Sequence, residues 1–194
     1  MHSTGALPPF ARGLLLGTAA IWLVLELRQS ANRRPEGVKA DWGGGFVVRF
    51  SILVGVVLAI VASRWASGLA IGSATVTAWI RLGILWSGIA LRLWSFQTLG
   101  RYFTFTVETS RDQPVIAKGP YRVIRHPGYA GVLVAVIGLG VVIGNWLSLI
   151  GLTVAVACGL VFRIRVEERA LLRELGSDYQ SYADTHKRLV PYIW

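Results

Sequence analysis

The sequence predicts an all-α polytopic membrane protein. It has five transmembrane helices, the last two a tight hairpin, and a cytosolic polar segment and C-terminal helix and tail. Three observations predict it. Of 194 residues, 54% are hydrophobic and only 15% charged, where a soluble domain carries about 25% charged residues. The apolar residues fall in runs on the scale of the ~20 residues that span a hydrocarbon core. The net charge of +10 gathers in the stretches between those runs.

The first span is expected from Phe10 to Leu27. Gly13 and Gly17 have a spacing that lets helices approach closely. The run has no small-residue cleavage site and ends in Glu26 and Arg28, so it reads as a retained span, not a signal peptide. The second span runs from Gly45 to about Trp65. The third, Val76 to Leu99, carries Arg81 and Arg92 near its ends, and both are expected to snorkel towards the headgroups.

No charged residue lies between Gly128 and Phe162. Gly144-Asn145, a turn signal, divides this stretch into two runs of about seventeen residues. Each arm is short for a core about 30 Å thick. The turn is therefore expected inside the far headgroup region.

Two segments read as outside the membrane. Arg101 to Arg125 begins with Tyr102, Thr104 and Thr106 alternating against Phe103, Phe105 and Val107, the pattern of a short interfacial hairpin. Arg163 to Leu175 reads as a helix continuing out of the fifth span and ended by Gly176. The tail, Ser177 to Trp194, mixes aromatic and basic residues as interfacial segments do. The whole reads as one domain, 1–194, with three spans in 1–98 and the chemistry-bearing half in 99–194.

The loop after the first span, the segment after the third and the C-terminal segment from Arg163 hold fifteen of the twenty basic residues, and Arg49 lies at the near end of the second span. With five spans all three fall on one side, which the positive-inside rule makes cytosolic. The N-terminus is then outside and the C-terminus inside. The interrupted pattern of charge also argues against a nucleic-acid surface, because long apolar runs separate the basic clusters. Cys158, the single cysteine, excludes an internal disulfide, and with His2, His126 and His186 it makes no zinc spacing. It reads as a small packing residue. Gly138-Leu139-Gly140 with Gly144 lies in an apolar span with no preceding strand, so it is not a dinucleotide loop.

Polar features crowd the cytosolic face after Arg101. In Gly119-Pro120-Tyr121-Arg122-Val123-Ile124-Arg125-His126-Pro127-Gly128-Tyr129, Pro127 suits the first turn of a helix. The fourth span should therefore start near His126. A helix start favours an anion; equally, Arg122 and Arg125 would anchor to lipid phosphates. Further on, Arg163 and Glu167 are four residues apart on one helical face. Two readings stand for that pair: an exposed ion pair, or a desolvated site at the first polar position after the charge-free stretch.

At these residues the sequence resembles the isoprenylcysteine carboxyl methyltransferase family, in a compact prokaryotic form. The resemblance covers about Leu99 to Pro191. It rests on Leu99-Gly100-Arg101-Tyr102-Phe103, on Gly119-Pro120-Tyr121, on Arg125-His126-Pro127-Gly128-Tyr129-Ala130-Gly131, and on Arg163 with Glu167-Glu168. Leu171, Gly176, Tyr179, Tyr182 and Arg188-Leu189-Val190-Pro191 complete it.

The resemblance implies methyl transfer from S-adenosylmethionine to the carboxylate of a prenylated cysteine, leaving S-adenosylhomocysteine and using no metal. It implies that Gln113, Pro114, Val115, Ile116, Tyr121, His126, Pro127, Gly128 and Tyr129 hold the cofactor, with Glu167. Arg163 would face the acceptor carboxylate. Arg125, Glu168, Leu189 and Pro191 are implicated more loosely, and the i,i+4 geometry favours Glu167 over Glu168. The acceptor would enter from the bilayer, the site would be cytosolic, and the chain would act as a monomer among membrane lipids, without nucleic acid. Two other activities are weighed on the same scaffold: a phospholipid amine N-methyltransferase, and an NADPH-dependent membrane reductase of the sterol type. A transporter would show internal repeats and a midplane polar site, which this sequence lacks.

Overall fold

A computed structural model describes residues 10, 13–15, 17–18, 22, 24, 38–41, 44–71, 75–100, 107–109 and 115–194. The first predicted span lies mostly outside them. Its described positions are helical, and the Trp86 indole donates to Thr18 Oγ1 at 3.0 Å, which ties that segment to the helix Thr75–Leu99.

Four helices organise the rest: α1, Gly44–Trp65; α2, Thr75–Leu99; α3, Pro127–Ile143; and α4, Trp146–Thr185. Short 3-10 turns occupy Ser67–Leu69 and Gly119–Arg122. Gly45–Trp65 and Trp146–Thr185 are each long and apolar enough to cross a membrane, and α3 is a shorter apolar helix. Phe46, Phe50, Leu53, Val57, Val61 and Trp65 all point outward from α1. A face so apolar is stable only against lipid or another apolar surface.

Backbone-to-backbone approach sets the packing. The main helix pairs are α2 with α3, α1 with α4, and α3 with α4. A Cβ on Gly88 would lie 2.6 Å from Gly131 O, and one on Gly131 would lie 2.7 Å from Gly88 O. These two glycines let α2 and α3 cross with no side chain between them. Between α1, α3 and α4 the core is aliphatic: Ala59, Val132, Val136, Leu152, Val156 and Leu160 are buried together.

The hairpin turn lies where Gly144-Asn145 places it. Gly144 adopts φ 77°, the left-handed conformation glycine tolerates best. Asn145 then caps α4 by accepting from Ser148 N at 3.0 Å. The turn and the start of α4 are strapped to α1 and the loop after it. Asn145 Nδ2 donates to Ala66 O at 2.7 Å, Ser148 Oγ to Ala59 O at 2.6 Å, and Ile71 N to Gly144 O at 2.7 Å.

Several expectations need correction. Arg81 and Arg92 do not snorkel: they are 4% and 7% exposed. Arg81 donates to Ile71 O. Arg92 Nη1 donates to Gly128 O at 3.2 Å, and its guanidinium lies 4.5 Å from the Phe96 ring centroid. Both face neighbouring protein, and carbonyl partners offset the cost of burying their charge. Cys158 is exposed, not packed, on the same outward stripe of α4 as Val154 and Phe162.

The interfacial hairpin is only partly what its alternation suggested. The described strand β2, Val107–Thr109, pairs antiparallel with β1, Val38–Asp41, so its partner comes from the loop before α1. This small ribbon is the non-helical addition to the predicted helices. Finally, Gly176 does interrupt the last helix, at φ 53° and ψ −125°, but helix resumes and runs to Thr185.

Candidate active site

The approach to α3 is built by its prolines. Gly119 takes φ 53°, Pro120 and Tyr121 are buried in the 3-10 turn, and Tyr182 Oη donates to Tyr121 O at 2.7 Å, pinning that turn to the end of α4. His126 is the N-cap and Pro127 opens the helix, where its missing N–H costs nothing. The Arg92–Gly128 hydrogen bond holds that first turn against α2.

The first turn of α3 faces α4 just beyond Phe162, where the apolar part of α4 ends. The Tyr129 hydroxyl donates to Glu167 Oε2 at 2.6 Å and accepts from Arg163 Nε at 3.1 Å. Arg163 Nε lies 3.8 Å from the same carboxylate, with the arginine side chain 3% exposed and the glutamate 28%. The pair is therefore not the exposed ion pair that spacing alone allowed. Arg163 is buried, and Glu167 borders solvent.

Adjacent residues on a helix diverge by roughly 100°, so Glu167 and Glu168 look in different directions. Glu168 is buried and meets a second set of partners. Arg188 Nε lies 2.8 Å from its Oε2. His126 Nε2 and Arg125 Nη1 lie 3.2 and 3.3 Å from its Oε1. Arg125 thus spends its charge on a protein carboxylate, while Arg122 stays exposed.

Burial tends to raise the Glu168 carboxyl. Hydrogen bonds with His126 and Arg188, and the charges of His126 and Arg125, outweigh it and hold the group below its ordinary range. Burial pushes the Tyr121 hydroxyl well up, with Glu167, Tyr129 and Tyr182 adding to it. Burial also pushes Tyr182 up to about 12, and pushes Tyr179 up, helped by Glu168 and Glu167. These three phenols, none of them within an apolar run, keep their protons at neutral pH and can act as hydrogen-bond donors.

The structure brings Tyr129, Arg163 and Glu167 into direct contact, with Tyr121 near Glu167. His126 stacks on Tyr129 at 5.6 Å between ring centroids, and its Nε2 turns to Glu168. Val115 and Ile116 are half-buried on the approach, while Gln113 and Pro114 lie outside the described residues. Leu189 is buried with Ile124, Ala130 and Ile164, whereas Pro191 is exposed. Arg92, Arg188 and the hydroxyl of Tyr182 were not foreseen as organising groups. Of these, Tyr182 and Arg188 carried a signal in the sequence, as parts of the pattern on which the resemblance rests, and Arg92 carried none.

Residues 80–173 match the isoprenylcysteine carboxyl methyltransferase family. The chain is 32% identical over 108 residues to protein-S-isoprenylcysteine O-methyltransferase B of Arabidopsis thaliana, covering 55% of each chain. It is 28% identical over 114 residues to the Schizosaccharomyces pombe protein-S-isoprenylcysteine O-methyltransferase, covering 58% of this chain and 48% of that one. The chain thus spans about half the length of the curated relatives it matches. In three dimensions it is similar to a eukaryotic intramembrane Ras methyltransferase, with a TM-score of 0.59 at 24% identity over 79% of this chain and 54% of that one. The matched stretch contains Tyr129, Arg163 and Glu167 and the parts of α3 and α4 that bring them together, so the part of the chain that is similar to the isoprenylcysteine carboxyl methyltransferase family is the part that builds this site.

Proposed function

We propose that this protein transfers a methyl group from S-adenosylmethionine to the α-carboxylate of a prenylated cysteine, or a similar lipid-linked carboxylate, at the cytosolic face of a membrane. The contact that supports it most is Tyr129–Glu167–Arg163, where one phenol joins a buried cation to a solvent-bordering anion. Five spans, an outside N-terminus, a monomeric state and an acceptor entering sideways from the bilayer belong to the same proposal.

The residues fit the cofactor's charges. The Glu167 side chain borders solvent, 28% exposed, while its Oε2 is taken by Tyr129, an arrangement suited to an ammonium group. The start of α3 suits a carboxylate. Tyr121, Val115, Ile116 and the His126–Tyr129 turn would line the rest. When bound, S-adenosylmethionine supplies an electrophilic methyl group on a sulfonium sulfur.

The chain's own contribution is positioning. An α-carboxyl with pKa of about 3.3–3.7 is ionised at neutral pH, so its oxygen attacks without a general base. Arg163 would hold that carboxylate through a fork-shaped contact that lysine cannot copy. Tyr129 fixes the guanidinium by accepting from Nε. Leu189, Ile124, Ala130 and Ile164 form an apolar floor that keeps water out. Such alignment is worth about 7–11 kcal/mol of barrier. The neutral ester product binds Arg163 less strongly, which aids release.

Isothermal titration of the detergent-purified chain with S-adenosylmethionine and S-adenosylhomocysteine tests this. Binding in the submillimolar range that disappears in Glu167→Ala is the expected result. Absence of binding by the unaltered chain, with NADPH binding in its place, would overturn it.

A further inference from the structure

Glu168 lies next to the Arg163–Glu167 face but serves a different set of partners. Its carboxylate gathers partners from two distant parts of the chain: the Arg125 guanidinium and the His126 ring before α3, and the Arg188 guanidinium in the tail. The backbones of those same two segments are joined beside it. Arg125 N donates to Lys187 O at 2.8 Å and His126 N to Arg188 O at 3.0 Å, and Ile124 and Lys187 form a parallel bridge.

Beyond that bridge the tail folds on itself. Leu189 N and Val190 N both donate to Trp194 O, at 2.7 and 2.8 Å. The Arg188 guanidinium lies 5.4 Å from the Trp194 ring centroid, and Leu189 enters the cluster of Ile124, Ala130 and Ile164. Without the Glu168 carboxylate, this register would set Arg125 against Arg188 with no anion between them. Like charges placed so destabilise the pairing, and removing one member of a buried ionic group leaves the others uncompensated.

We propose that Glu168 is a positioning residue that latches the C-terminal tail onto the start of α3, so that tail docking and ligand binding at His126–Tyr129 are coupled. The segment Ile124–Tyr129 belongs to both assemblies: its first three residues hold the tail, and Tyr129 holds Glu167 and Arg163. A tail in register sets where the first turn of α3 sits. A released tail frees the Arg125 and His126 amides and withdraws Leu189 from the floor. The tail half of the proposal stands on the geometry alone; the ligand half rests on the function proposed above.

Hydrogen exchange of the full-length, detergent-purified chain tests the tail half. Glu168→Gln keeps the side-chain shape and removes the charge. It is expected to speed exchange of the Arg125, His126, Leu189 and Val190 amides by on the order of tenfold, the scale of an ordinary coupling between two sites. Arg188→Gln, which alters only the tail's arm, should do the same. The double variant should be no faster than Glu168→Gln, because the two substitutions remove one shared interaction. Arg173→Gln, on an exposed part of α4, should change nothing.

The ligand half is read from kinetics. The KM for S-adenosylmethionine should rise by about tenfold in both single variants while kcat at saturation is kept, a split that general destabilisation does not produce. Unchanged exchange at the four amides in both single variants would overturn the latch. So would an increase spread evenly along α3. If exchange responds as stated and the unaltered chain binds no S-adenosylhomocysteine, the tail half stands and the proposed function falls.

Discussion

Tyr129 and Glu167 are joined by a 2.6 Å hydrogen bond between two helices, and the same phenol accepts from Arg163 Nε. A hydroxyl shared this way holds both charged groups in place. Tyr129→Phe keeps the ring stack with His126 and removes the bridge. A hydrogen bond to a charged group is worth about 1.5–3 kcal/mol, so methylation of a farnesylcysteine analogue should fall by roughly 10- to 100-fold in kcat/KM. An unchanged kcat/KM would show that the phenol does not position the site.

Arg163→Lys separates acceptor binding from cofactor binding. Lysine keeps the charge but cannot make a planar two-pronged contact. S-adenosylhomocysteine affinity by calorimetry should stay within about threefold, while kcat/KM for the acceptor falls by at least about tenfold. Full activity in this variant would remove the carboxylate-holding role.

The crossing of α2 and α3 depends on Gly88. A methyl group there meets the backbone of Gly131 and Ala135, which cannot yield as a flexible side chain would. Gly88→Ala should lower thermal stability in detergent by about 1–3 kcal/mol, the usual cost of overpacking. Gly151→Ala on α4 meets nothing within 4 Å and should be neutral or slightly stabilising. Equal melting temperatures for the two variants would contradict close backbone packing.

The Glu168 cluster sets a pH dependence. Because Arg125, His126 and Arg188 hold this carboxyl below its ordinary range, the folded chain binds its proton less readily than the unfolded chain does. Its contribution is complete above the unfolded value of about 4.3 and is lost as pH falls through the folded value. Thermal unfolding from pH 7 downward should show the unaltered chain ahead of Glu168→Gln above about pH 5, with the gap closing at lower pH. A gap that widened on acidification would reverse the assignment.

Much of the architecture was legible because its signals are short in range. Hydropathy marks the apolar runs of α1, α3 and α4. Gly144-Asn145 marks the hairpin turn because glycine tolerates the left-handed conformation and asparagine caps a helix. Pro127 marks a helix start for an equally local reason, and the i,i+4 spacing puts Arg163 and Glu167 on one face.

Contacts between distant segments were decided by the tertiary structure. Only the crossing of α3 and α4 turns Tyr129 towards Glu167 and leaves Glu168 to Arg125, His126 and Arg188. The same packing buries Arg81 and Arg92, whose charges suggested lipid headgroups until neighbouring carbonyls were in place. It also gives β2 a partner from before α1. Helical period and turn chemistry act over a few residues and can be read along the chain, whereas a charge takes its partner from whichever backbone or side chain folding brings within about 3 Å.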